Sequence, residues 1–299
     1  MRTGFWSAGL LILLGACSAG CRLPGVEGPV SKSLATSRQY SQQGVAAIEA
    51  GRWVEAQELL AKAVKCCPAD PEARRHHAEA LWHGGQRAKA VAELQEAIAL
   101  VGDDVSLHVR LAEMRLAMGQ LEPAAREAEA ALDLDPKSAA PWAARARVMR
   151  AAGQREAALA DYHRALGHAP NDRLLLLEMA ELYRELGQPQ KSLSMLQSLI
   201  DTYAPGEEPQ QVVYLQALAY QAMGRHEDAA DGFAVALARG EATPELLYRL
   251  AESQSRVARL PEAATAAEQA LALDPGHQPS RLLLGRLGIA RRPNDPTPR

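Results

Sequence analysis

The stretch GQREAALADYHRALGHAPND, residues 153–172, decides how this sequence is read. It sets Gly153, Ala158, Tyr162, Ala165 and Pro170 at spacings that recur along the chain. In rows of 34 residues, new rows begin at Ser37, Pro71, Val105, Ala139 and Arg173, then, after three extra residues, at Gln210 and Pro244, and the last row ends at His277. The eighth column holds Gly44, Ala78, Ala112, Ala146, Ala180, Ala217 and Ala251. The fifteenth holds Gly51, Gly85, Gly119, Gly153, Gly187, Gly224 and Ala258. The twentieth reads Ala56, Ala90, Ala124, Ala158, Ser192, Ala229 and Ala263, and the twenty-seventh Ala63, Ala97, Ala131, Ala165, Leu199, Ala236 and Ala270. Four columns of small residues aligned at one period mark an internal repeat.

Each column has a physical reason. Small residues in the eighth, twentieth and twenty-seventh columns let helix backbones approach closely, while Leu, Tyr, Met and Phe between them fill the remaining space. A glycine in the fifteenth ends a first helix where a left-handed conformation costs least. Pro68, Pro136, Pro170 and Pro275, in the thirty-second, stop the second helix because proline cannot continue its hydrogen-bond ladder. Helices of about three turns are marginal alone, so stability must come from stacking neighbours in one dimension. Composition agrees: 47% of residues are hydrophobic but only 4% aromatic, which calls for a core of Ala and Leu in closely packed helices.

The pattern over residues 37–277 resembles the tetratricopeptide repeat family, whose unit is a helix, a tight turn and a second antiparallel helix. Tyr40 and Trp142 stand in its fourth column, Tyr183 and Tyr220 in the eleventh, and Tyr162 and Phe233 in the twenty-fourth. The resemblance implies an all-α, right-handed solenoid of seven helix-turn-helix repeats, at 37–70, 71–104, 105–138, 139–172, 173–209, 210–243 and 244–277. Repeat five departs with Ser192 and Leu199, and repeat seven with Ala258 for the turn glycine. Residues 278–290, QPSRLLLGRLGIA, read as a capping helix. The tail at 291–299, RRPNDPTPR, has three prolines and no apolar residue, and is expected to be disordered. The break between repeats five and six, TYAPGEEPQ at 202–210, reads either as a bend or hinge or as a silent surface insertion.

The chain opens MRTGFWSAGLLILLGACSAGC, with an early Arg2, a short apolar run and small residues around two cysteines, the pattern of an export signal. The apolar run is too short to cross a hydrocarbon core, which needs about 20 residues. LGAC resembles the lipobox of bacterial lipoproteins, so residues 1–16 are expected to be removed and Cys17 to carry lipid, with Cys21 the alternative. Plain secretion and an uncleaved anchor are the competing readings. Residues 17–36, rich in Pro and Gly, are expected to be a flexible tether. The expected location is therefore a bacterial membrane surface facing the periplasm or the cell exterior.

Little points to chemistry. Lys and Arg total 33 against 36 for Asp and Glu, a net charge of -3, so no basic excess favours nucleic acid. Cys66, Cys67, His76, His77 and His83 crowd together, but their spacing matches no standard zinc or haem pattern. Adjacent cysteines make no disulfide framework. There is no GxSxG, HExxH or phosphate-binding glycine loop, so neither a catalytic site, a metal nor a cofactor is expected.

What remains is the face that first helices line in the resembling family, its concave groove. Candidate partner-binding residues there are Arg75, His76, Glu79 and Trp82 in repeat two, Arg110 and Glu113 in repeat three, Arg147 and Arg150 in repeat four, and Glu181 and Arg184 in repeat five. Mixed charge with a Trp suits a protein or peptide held by charge-assisted hydrogen bonds and apolar contact. The bland alternative is a solvated face with intrahelical pairs such as Arg75 with Glu79. The Lys and Asn arrangement with which some family members clamp a terminal carboxylate is missing, since Ser41, Val45, His76, Ser106 and Arg110 occupy those columns. The expected function is a lipid-anchored, non-catalytic scaffold, similar to bacterial repeat lipoproteins that assist pilus or secretin assembly or gather cell-wall enzymes. The alternative is an accessory regulatory subunit of an envelope enzyme or transport system.

Overall fold

The computed structural model describes the backbone of residues 29–288 and side chains from Ser33 onward. Cys17, Cys21, the signal segment and the tail at 291–299 lie outside the described residues. Within them every regular element is helical, and the helices fall into consecutive pairs. The first helices are α1 (Pro29–Glu49), α3 (Pro71–His83), α5 (Val105–Ala117), α7 (Ala139–Ala151), α9 (Arg173–Glu185), α11 (Gln210–Ala222) and α13 (Pro244–Arg256). Their partners are α2 (Trp53–Cys66), α4 (Arg87–Val101), α6 (Leu121–Leu134), α8 (Arg155–His168), α10 (Pro189–Ile200), α12 (His226–Ala238) and α14 (Leu260–Leu273), and α15 (Gln278–Arg286) follows alone. From α3 to α13 each first helix starts at the residue that opens a row.

Among the described residues packing runs along the array: each helix touches its pair partner and the neighbouring repeat, as a solenoid requires. Ala78, Ala146, Ala158, Ala165, Ala217, Ala229 and Ala236 are completely buried where helices cross. Tyr162 and Phe233, also completely buried, supply bulk where backbones stand farther apart. Ser192, the odd residue of its column, is 2% exposed and donates to the Ala180 carbonyl at 2.8 Å, so its hydroxyl adds no unpaired polar group.

The turn between paired helices is one motif repeated. Gly153 sits at φ 78°, the Gln154 amide reaches back to the Met149 carbonyl at 2.9 Å, and the last turn closes in a Schellman arrangement. At Ala258 the same closure forms, with Arg259 N–H donating to Gln254 at 2.9 Å, although alanine there holds φ at 61°. First helices are also opened by caps: the Asp104 and Asp172 carboxylates each accept two backbone N–H groups of α5 and α9, and Asp70 does the same for α3.

One expectation is corrected, at the N-terminal end, and the break is packed. The tether was drawn to residue 36, but α1 begins at Pro29 and Ser37 is fully buried, donating to the Ala63 carbonyl at 3.0 Å and to Asp70 at 3.2 Å. The breakers Pro24, Gly25 and Gly28 all precede Pro29, which itself suits a helix N-terminus, and none occurs again before Gly44. At the break, Arg173 donates to the Thr202 side chain at 2.9 Å and stacks 4.0 Å from the Tyr203 ring, and Arg239 grips Glu208 through its carbonyl (2.9 Å) and carboxylate. Leu176, Leu199, Val212 and Leu215 share one apolar cluster across it, so the core is continuous there. α15 ends at Arg286, inside the expected cap, and residues 289–290 fall outside the described part.

Candidate functional site

The first helices bring most of the candidate residues onto one face, but mainly to each other. Arg110 of α5 donates two bonds of 2.7 Å to the Glu79 carboxylate of α3 and one of 3.2 Å to Glu113. Arg147 of α7 reaches Glu113 behind it at 3.0 Å and Glu178 ahead at 2.8 Å. Arg150 holds Glu181 at 3.3 Å and also closes on Glu185. The result is a ladder of alternating charge from α3 to α9, about a quarter exposed along its length, in which both signs are satisfied.

The rungs have a common sequence separation. Glu79 and Arg110, Arg147 and Glu178, and Arg150 and Glu181 are each 31 residues apart. A step of one period less three residues places the partner on the next first helix one turn lower, facing back across the crossing. Electrostatics agree with the geometry. The Glu79 hydrogen bonds hold the Arg110 guanidinium even more firmly charged than usual. At Arg147 burial opposes the charge, and Glu178 with Glu113 outweighs it.

The remaining candidates diverge. Arg75 pairs with Glu72 at 2.6 Å, not with Glu79, and its guanidinium lies 3.2 Å from His76. His76 has its pKa lowered by burial and then by Arg75. Trp82 is half-buried against the cluster of Leu81, Ala90 and Leu94, with the Arg87 guanidinium 5.3 Å from its ring, and lines neither cavity described below. Of the Cys and His group, His83 stacks on Trp53 at 4.1 Å, His77 turns to Glu93 at 3.3 Å, and Cys66 and Cys67 are half-buried free thiols. Among the described residues no cluster of three or more His, Cys, Asp or Glu is arranged to hold a metal, and no helix is long and apolar enough to cross a membrane.

Two open cavities flank the ladder. One, about 500 Å³, lies between α1 and α3 and is lined by Arg38, Val45, Glu49, Asp70, Glu72 and His76. The other, about 590 Å³, lies between α9, α11 and α13 and has Arg184, Tyr214, Leu218, Gln221, Arg249, Glu252 and Arg256 in its wall. Sequence reasoning reached Arg184 there but missed Tyr214, Gln221, Arg249 and Arg256, and it missed Glu178 and Glu185 in the ladder. Searching for opposite charges 31 apart would have found Glu178.

Tetratricopeptide repeat models match residues 41–105 and 175–204. No curated protein matches the sequence. Among solved structures, a tetratricopeptide repeat protein from Parabacteroides merdae is 16% identical and covers 85% of this chain and 99% of its own, with a TM-score of 0.59. PilW, described as a widely conserved type IV pilus biogenesis factor, is 16% identical over 66% of this chain and 90% of its own, with a TM-score of 0.59. YrrB, described as having an unusual peptide-binding site, is 17% identical over 62% of this chain and 95% of its own, at 0.55. At such identities the likeness concerns the fold. With small residues at its helix crossings and a left-handed residue closing each first helix, the described part of this chain has the tetratricopeptide repeat fold, and residues 41–105 and 175–204 match that family's repeat models.

Proposed function

We propose that the protein is a membrane-tethered, non-catalytic scaffold that docks protein or peptide partners on its first-helix face during assembly of an envelope complex. The observation that carries the reading is the open state of that face at both ends of the array, where helix stacking leaves cavities of about 500 and 590 Å³ lined by mixed polar and apolar side chains. The peptide-binding site described for YrrB and the pilus biogenesis role described for PilW fit a docking role and an envelope setting. The tether rests on LGAC around Cys17, or on Cys21.

Photo-crosslinking tests the docking role. A crosslinking amino acid at Gln42 or Gln221, on the first-helix face, should trap partner proteins in native extracts, and the same residue at Glu129, exposed on α6, should not. Equal adducts from all three positions, or adducts from Glu129 alone, would refute it. For the tether, radiolabelled fatty acid should be incorporated by the full chain and lost with Cys17→Ala. Retention in that variant and loss with Cys21→Ala would move the anchor to Cys21, and no incorporation at all would exclude it.

A further inference from the structure

The cavity between α9, α11 and α13 leaves two cations without counter-ions. Arg184 and Arg256 are exposed and make no ion pair among the described residues. Arg249 is held by Glu245 at 2.6 Å. Glu252, the one carboxylate in the wall, is shared among Tyr248 at 3.1 Å, Gln221 at 3.1 Å and Arg249 at 3.6 Å. Each free arginine sits in the last turn of its helix, a placement that the helix dipole favours singly. The dipole does not account for two such groups converging on one cavity with an apolar floor.

The ladder rule explains why Arg184 is free. Where Arg150 meets Glu181 in the next repeat, the corresponding residue for Arg184, allowing for the three extra residues at the break, is Leu218. There leucine stands where a carboxylate would close the pair. Arg256 stands one column further on, outside the rung positions, and makes no ion pair among the described residues. Leu218 and Tyr214 are half-buried, and the Tyr214 ring packs 5.6 Å from Phe233, so the floor is apolar and firmly backed. Arg286, at the end of α15, carries the positive character further along the array. The cavity at the other end has the opposite balance, with Glu49, Asp70 and Glu72 against Arg38 and His76.

We infer that the cavity formed by α9, α11 and α13 is a seat for an acidic peptide segment, whose side-chain carboxylates pair with Arg184 and Arg256 while an apolar side chain rests on Leu218 and Tyr214. This rests on the docking role proposed above and specifies its partner chemistry. Carboxylates from the partner supply what Leu218 withholds from Arg184 and give Arg256 a counter-ion, and charge-assisted pairs flanking an apolar contact are the arrangement that yields specific binding. The acidic balance at the far end repels the same segment, so such a partner binds at one end of the array only.

Fluorescence anisotropy on the full-length protein tests this with a labelled probe, acetyl-Glu-Leu-Glu-Glu-Leu-Glu-amide, and its analogue with every Glu replaced by Gln. The acidic probe should bind at least about tenfold more tightly at low ionic strength, with the advantage shrinking as salt screens it. Arg184→Glu with Arg256→Glu should abolish that advantage, and Arg184→Lys with Arg256→Lys should keep most of it. Leu218→Glu should also weaken the acidic probe, by giving Arg184 an internal partner. Equal affinity for both probes, or an acidic preference unchanged by the double reversal, overturns the inference. If the probes fail while crosslinks from Gln221 persist, the acidic chemistry is wrong and the docking role stands. If crosslinks from Gln42 and Gln221 also vanish, both fall.

Discussion

In the middle of the array, Arg110, Arg147 and Arg150 each close on a carboxylate one repeat away, whereas in the last repeats Arg184 and Arg256 close on none among the described residues. The residue type is the same, and so, for Arg150 and Arg184, is the column. What changes is a pair of neighbours in the following repeat: Glu181 and Glu185 in the first case, Leu218 and Ala222 in the second. An arginine on the first-helix face is thus a tie between repeats or a free anchor according to the side chains that the following repeat presents to it. A face that looks uniformly charged in sequence is functionally divided.

The comparison can be broken most violently from within. Ala158 is completely buried at a crossing in the tied half, and Ala158→Glu should cost several kcal/mol, roughly 3–5, by burying an unpaired charge. Cooperative melting of the middle repeats, followed by circular dichroism, should be lost, and a curve like that of the parent would contradict the packing. Arg147→Ala strands Glu178 and leaves Glu113 only Arg110, and should cost about 1–2 kcal/mol in urea unfolding, after discounting for partial exposure. Arg256→Ala should change stability by less than about 0.5 kcal/mol. Equal costs for these two would erase the distinction between tie and anchor.

Smaller effects sharpen the boundary. Ala258→Gly should stabilise the last repeats by about 0.5–1 kcal/mol, since it relieves a positive φ at the one fifteenth-column residue that is not glycine, visible as a raised final melting step. The smallest effect is a pH dependence near the start of the ladder. Burial, only partly offset by Glu93, lowers the His77 pKa in the folded protein. The unfolded chain therefore takes up the proton first. Stability is complete above the ordinary histidine value of about 6.5 and declines as pH falls below it. His77→Gln should flatten the melting temperature of the early repeats between pH 7.5 and 5.5, and an unchanged slope would assign the effect to other groups.

Much of the fold was legible because the crossings demand small residues and the turn demands a left-handed one, and both demands show in single columns. The first helices from α3 to α13 begin where rows begin for that reason. The start of α1 was misread because Pro and Gly content was averaged over a window, when the order of those residues, all at or before Pro29, was what mattered. The aspartate caps at Asp70, Asp104 and Asp172 went unread although they occupy one column, the last before each new helix. Candidate residues on the first-helix face were legible as a set, but whether each was satisfied was not. That depends on pairs a repeat apart, and Arg75 turned to Glu72 on its own helix instead.

The ladder also has a mechanical consequence. All of its rungs lie on one side of the stack, and each bridges neighbouring repeats without spanning two. Straightening the superhelix separates the first helices there, so every increment of extension must lengthen Arg110–Glu79, Arg147–Glu178 and Arg150–Glu181 together. Arg110–Glu79 guards the α3–α5 interface and Arg147–Glu178 with Arg150–Glu181 the α7–α9 interface, so the pairs act as short-range springs in series, stiff until they part. The central repeats therefore resist a pull on the chain for as long as both signs stay paired.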